Sequence, residues 1–262
     1  MKTQDIRKET YFRTMFKRQN VVKNFILNLF ESSTSFTRLI IETFIRKNMG
    51  RRYFKFSAAI FTAFFLFLIP MLPMVFPNLS DSYFTPTFWG TIKEYWLWYA
   101  FIAIFLYFAY LRYKDIKHIK AVYDFNHFSL SSGEILPFYL NLRYKDKPFT
   151  PRTLEIFIEP LPFFIGGILL MLIGQKLLGV LFAFSAIVYC ISYARAYANG
   201  DEFMFDKIDN RICNEEIART FTTDEPTGRG FRFYGEKPNS KEDREDIYRD
   251  MVDDDFEFKE VD

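Results

Sequence analysis

Histidine and cysteine are almost missing from this chain, with two of each among 262 residues. The histidines, His118 and His127, are nine residues apart, a spacing that puts them on opposite faces of any helix they might share. They therefore make no metal-ligand pair. Cys190 sits in an apolar block and Cys213 in a polar one, which fits two reduced thiols and neither a disulfide framework nor a zinc spacing. No HExxH, GxSxG or Walker loop occurs, so the usual marks of zinc hydrolases, nucleophile elbows and nucleotide-binding loops are missing. The first twenty residues lack a leading apolar core and a small-residue cleavage site, so the first apolar block is expected to act as an uncleaved anchor.

Apolar and aromatic residues are abundant. Half the chain is hydrophobic and 20% is aromatic, with 34 phenylalanines. A bilayer core about 30 Å thick needs roughly 20 apolar helical residues to cross it. Ser57 to Phe76 meets this without a charge, and Pro70 and Pro73 are expected to kink its far end. Tyr95 to Leu111 reads as a second span. Leu161 to Ala194 is a third block of 34 residues. As one straight helix it would be about 51 Å long, beyond what tilt absorbs. A break at Gly174, Gln175 and Lys176 splits it into a hairpin of two short spans, with a shallow re-entrant pair as the competing form.

Charge placement supports the reversal. Thirteen Lys and Arg precede Ser57, eight lie between Arg112 and Pro160, and eleven follow Ala194. The two expected outer loops hold one each, Lys93 and Lys176. The positive-inside rule then places both termini in the cytoplasm, with the bacterial inner membrane as the favoured compartment. Trp89, Tyr95, Trp96, Trp98 and Tyr99 mark one interface; Tyr189, Tyr193 and Tyr197 are expected to mark the other.

The fold expected from these patterns is an α-helical polytopic membrane protein of four spans, the last two a short hairpin, with a small cytoplasmic β-rich module. Residues 1–56 read as basic amphipathic helices, with stripes Val21, Val22, Phe25, Ile26, Leu29, Phe30 and Phe36, Leu39, Ile40, Phe44. Lys17, Arg18, Lys23, Arg46, Lys47, Arg51, Arg52 and Lys55 are candidates for contact with an anionic leaflet. Residues 57–111 hold the first transmembrane pair, 112–160 a cytoplasmic loop with short strands, and 161–194 the second pair. Residues 195–235 alternate in a way that suggests two β-hairpins. Residues 236–262 are acidic and thinly apolar, as disordered tails are.

The same tail carries spaced apolar residues, Ile247, Tyr248, Met251, Val252, Phe256 and Phe258, which suit docking into a partner's groove. Its excess of acid could also sit against the basic start of the chain. The spans themselves hold no Asp, Glu, His or Arg at depth, which argues against active transport. Gly166-Gly167 is expected to permit close helix packing. The inner loop offers Asp115, His118, Asp124 and His127 as candidates for lipid chemistry: a helical Asp115 and His118 would share a face, and Asp124 and His127 repeat that spacing where the helix is expected to end.

The function these features suggest is non-enzymatic. The protein would bind or regulate a partner at the cytoplasmic face of a membrane, as an accessory subunit or an immunity or exclusion factor. An oligomeric pore and a lipid-modifying enzyme are the alternatives. No cofactor, metal or catalytic residue is expected. The expected partners are anionic lipids, an unidentified protein and a second copy of the chain; nucleic acid is not expected, because no base-reading motif accompanies the basic charge.

Overall fold

The computed structural model describes residues 34–75, 87–117, 127–145, 147–224 and 226–256. The chain divides into two units, Val22–Tyr197 and a second made of Met1–Val21 with Ala198–Asp262. The molecule is mostly helical. Among the described residues, three helices are long and apolar enough to cross a membrane, and Phe56–Met71 is a shorter apolar helix.

In the larger unit, helix α1 covers 34–45 and runs into strand β1, Arg46–Lys47. Helix α2, Phe56–Leu68, passes into a 3-10 turn, Ile69–Met71, and a further turn α3, Leu72–Val75. Pro70 lies at that change of winding, as expected where a backbone donor is removed. Helix α4, Phe88–Glu94, leads into α5, Trp96–Lys117. Helices α2 and α5 run antiparallel: Phe56 stacks on Tyr113 at one end and Phe67 meets Tyr99 at the other. The Trp98 indole N–H donates to the Leu66 carbonyl at 2.8 Å. The helical donor four residues on would be Pro70, which has no backbone N–H.

The expected β-rich loop is corrected. Among the described residues of 127–160, strands are limited to two-residue pieces: β2, Glu134–Ile135, and β3, Arg143–Tyr144, with β4, Lys147–Pro148. β1 pairs antiparallel with β2, and β3 with β4. Phe138–Leu140, expected as strand, belongs to a single helical turn, α6, Pro137–Leu140. "LEIFI" is π-helical, Leu154–Ile158, and follows α7, Pro151–Thr153. Thr150 caps this run by accepting from the Thr153 amide, and the Pro at the first helical position fixes φ for entry. An apolar run of five residues reads equally as strand or buried helix, and the cap decides it.

Helix α8, Leu161–Leu172, ends where the chain turns back on itself. Gly174 has φ +96, the Gln175 amide donates to Leu170 and the Gly174 amide to Met171. These two bonds and the left-handed glycine make a Schellman cap. Helix α9 then starts at Lys176 and continues to Thr222. Gly167 and Gly179 mark a close approach of α8 and α9: a Cβ at Gly167 would lie 2.7 Å from the Gly179 carbonyl oxygen and 2.8 Å from the Ala183 nitrogen. At Gly166 a Cβ would meet nothing within 4 Å. The packing role expected of the glycine pair therefore belongs to Gly167.

The hairpins expected over 195–235 are also corrected: the stretch is helical to Thr222, and no strand follows among the described residues of 223–235. Cys213, Glu216, Ile217, Thr220 and Phe221 are its buried residues, and their spacing of three, one, three and one traces one helical face. Asp209-Asn210 has no glycine to adopt the positive φ that a tight hairpin turn requires. At the acidic end Lys241–Phe256 is helical, α10. Ser240 caps it by accepting from the Asp243 amide, and Glu242 and Asp243 occupy the first turn, where the helix dipole favours negative charge.

Candidate functional site

Helix α1 was expected on the membrane surface. In the structure it lies inside the larger unit, packed on all sides from Leu39 to Arg46. Ile40, Ile41, Ile45 and also Glu42, Thr43 and Arg46 are buried. The Phe44 ring contacts Phe101, Phe105 and Phe108 of α5 and Phe163 of α8. An amphipathic stripe fits only one wet face. Here the off-stripe polar residues are covered as well, each by a specific partner.

Those partners form a buried polar cluster. Arg46 is fully covered, which corrects its expected place among the membrane-surface cations. Its Nη1 donates to Glu155 Oε1 at 3.0 Å and to the Gly133 carbonyl at 3.3 Å. Its Nη2 donates to Glu159 Oε2 and, at 3.0 Å, to the Tyr189 hydroxyl. Tyr189 in turn donates to Glu159 Oε2 at 2.7 Å. The guanidinium also lies 5.0 Å from the Tyr193 ring centroid, a cation–π contact strengthened by the loss of water. One turn earlier, Glu42 Oε1 accepts from Tyr53 at 2.6 Å and Tyr193 at 3.1 Å, with Arg38 Nε 3.0 Å away. Tyr197 donates to Glu155.

Local structure explains the convergence. The π-segment and its C-cap carry Glu155 and Glu159, four residues apart. Tyr189, Tyr193 and Tyr197 repeat every four residues on α9. Two acidic side chains thus face a ladder of three phenols, with Arg46 between them. These tyrosines were expected at the lipid interface; Tyr189 and Tyr193 are buried instead. Burial pushes the Glu42 carboxyl above the usual carboxylate range, against the opposing pull of Arg38 and the two hydroxyls. The same burial raises Tyr53, and the neighbouring Glu42 charge adds to it.

This arrangement changes one sequence argument. The apolar stretches 57–76, 95–111 and 161–194 carry no acid or arginine, yet Glu42 and Arg46, outside them in sequence, are buried against α9 and the end of the π-segment. Buried ionisable groups in a membrane protein are retained when paired, and they mark functional places more often than surface charges do. Here the pairing also ties α1 to the turn at Gly133, the π-segment and α9.

The remaining candidates are dispersed. Lys47, Arg51, Arg52 and Lys55 are not buried, as membrane-surface cations require. Lys17, Arg18 and Lys23 lie outside the described residues, as do Phe258, His118 and Asp124. Asp115 accepts from Arg112 at 3.2 Å, an ion pair that accounts for it without chemistry. Gly174, Gln175 and Lys176 form the hairpin tip. Ile247 is exposed on α10, and Tyr248, Met251, Val252 and Phe256 follow on the same helix. Among the described residues, no group of three or more His, Cys, Asp or Glu is placed to hold a metal ion.

The smaller unit has its own ion-pair set. Glu216 accepts from the Gly228 amide and from Arg229 Nε, both at 2.7 Å. Arg229 also reaches Glu215 at 2.8 Å, and Arg244 donates to Asp224. Phe203, Met204, Phe205 and Ile208 of α9 stand 57%, 57%, 64% and 50% exposed. Asp201, Glu202, Asp206 and Asp209 flank them in sequence. Neither a family model, nor a curated protein, nor a solved structure matches the chain.

Proposed function

We propose that the protein is a non-enzymatic, four-crossing membrane protein that binds and regulates a partner protein from the cytoplasm. In this reading α2, α5, α8 and the apolar first part of α9 cross the bilayer, and both termini are cytoplasmic. The distribution of Lys and Arg supports that orientation. The Gly174 reversal is compatible with it, because it returns α9 to the side from which α8 starts.

The observation that carries the partner reading is a group of four exposed apolar residues within six positions of α9, Phe203, Met204, Phe205 and Ile208. Four acids, Asp201, Glu202, Asp206 and Asp209, and one cation, Lys207 over the Phe203 ring, are interleaved with them. A contiguous apolar surface rimmed by polar groups is what interaction sites present. Acid around it selects a basic amphipathic helix as the matching partner, since opposite charge at the rim steers association and rejects acidic competitors. The α10 residues Ile247, Tyr248, Met251 and Val252 offer a second, weaker anchor of the same kind.

A photoreactive amino acid at Phe205 in native membranes tests this. The expected result is one discrete protein adduct, lost when Met204 and Ile208 are replaced by serine and not formed from a control probe at the exposed Glu236. Adducts to lipid alone, or to no other chain, would remove the reading.

A further inference from the structure

The Arg46 cluster is short of positive charge. Arg38 is matched by Glu42, but Arg46 alone faces both Glu155 and Glu159. The other groups bonded to this set are uncharged: Tyr189 and Tyr197 as donors, Tyr193 under the guanidinium, and the Gly133 carbonyl. Arg152 lies over the Tyr197 ring, 5.4 Å from its centroid. With every group ionised, the directly bonded set of Arg46, Glu155 and Glu159 holds one negative charge too many, with Arg152 as the further cation beside Tyr197.

The two carboxyls differ in how they meet that excess. The Glu155 side chain is 16% exposed and reaches water. Glu159 is fully covered; its Oε2 accepts from Arg46 and Tyr189, while its Oε1 is buried with no hydrogen-bond partner among the described residues. An ionised carboxylate has about four lone-pair sites to satisfy, and an unsatisfied buried charge costs more than an unsatisfied neutral group. Ser185 Oγ is also buried without a partner. It precedes Tyr189 by one turn of α9, so the two share the face that meets Glu159. The π-winding that positions Glu159 is a feature that recurs at functional sites.

We infer that Glu159 is a proton-binding site: it holds one hydrogen ion at Oε1 at neutral pH, and the Arg46 set is thereby uncharged. The ligand is a proton taken from water, and the only bond formed is O–H. Oε2 keeps both of its donors, so binding leaves the Arg46 and Tyr189 contacts in place. Loss of the proton restores the unbalanced charge where α1, the π-segment and α9 meet. The cluster then responds to internal pH without any change of covalent structure.

Infrared spectroscopy of the full chain in lipid nanodiscs, in H2O and D2O, tests the assignment. The expected result is a carboxylic-acid C=O band at neutral pH, shifted by deuterium, that loses intensity in E159Q and keeps it in E155Q. An E42Q variant separates any component from Glu42. Y189F, which removes one donor from Oε2, is expected to shift the Glu159 band without abolishing it. This keeps the test decisive if E159Q folds poorly. Wild type with no acid band at neutral pH overturns the inference. So does a band removed by E155Q or E42Q and untouched by E159Q and Y189F.

Discussion

Adding one methyl group at Gly167, and separately at Gly166, should move stability in opposite directions. Both glycines sit in α8, so both substitutions gain the same helix propensity, about 0.5–1 kcal/mol. At Gly166 the added carbon meets nothing within 4 Å, and G166A should be stabilised by that amount. At Gly167 the added carbon would sit 2.7 Å from the Gly179 oxygen and 2.8 Å from the Ala183 nitrogen. Ordinary contact begins near 3.4 Å, so α8 and α9 must separate by several tenths of an ångström. Neither obstacle is the flexible end of a side chain. Overpacking of this kind costs about 1–3 kcal/mol.

The propensity gain cancels between the two variants, so their difference reports the packing cost alone. At 1.4 kcal/mol per decade that is roughly a 5- to 150-fold gap in unfolding constant. Reversible unfolding in mixed micelles, followed by the fluorescence of the buried Trp98, measures it. Equal stability of the two variants, or a more stable G167A, would refute the close crossing of α8 and α9.

Two further outcomes follow from single contacts. Tyr53→Phe removes the donor 2.6 Å from Glu42. A bond to a charged group contributes about 1.5–3 kcal/mol, so Y53F should lose an amount in that range by the same assay, and Y53F on an E42Q background should lose clearly less. In the smaller unit, the Arg244 hydrogen bond and charge hold Asp224 below the usual carboxylate range. A depressed folded-state pKa adds stability above the ordinary aspartate value, and this is lost as pH falls through the folded value. Wild type and D224N should therefore differ in melting temperature at neutral pH and converge in acid; a gap that persists in acid would contradict the Arg244–Asp224 pair.

Much of the helical frame is legible in the sequence, because a long charge-free run permits few structures in lipid. The turn at Gly174 is readable for a similar reason: glycine beside two polar residues interrupts a block too long to cross once. The extension of α9 is not read from Phe203 and Phe205, whose alternation mimics a strand. The helical spacing of Cys213, Glu216, Ile217, Thr220 and Phe221 was the better signal. The cap at Ser240 with acid in the next turn likewise marked α10.

The buried cluster was hidden for a different reason. In "FIRKN" nothing separates Arg46, which is covered, from Lys47, which is not. The distinction comes from Glu155 and Glu159, more than a hundred positions away. Tyr189, Tyr193 and Tyr197 have the same period whether they face lipid headgroups or the interior. Only their juxtaposition with the Glu155–Glu159 pair decides, and one sequence does not encode that juxtaposition locally.

The central structural claim is that Arg46 pins α1 inside the membrane unit through Glu159. A double-mutant cycle over R46M, E159Q and the combined variant, measured by reversible unfolding, tests it most directly. R46M alone should cost about 3–5 kcal/mol, because it leaves the Glu155 carboxylate and the covered Glu159 carboxyl without their guanidinium partner. The combined variant should be distinctly more stable than the sum of the single losses implies, with a coupling above about 1 kcal/mol. Additive losses, or an R46M protein as stable as wild type, would contradict the account.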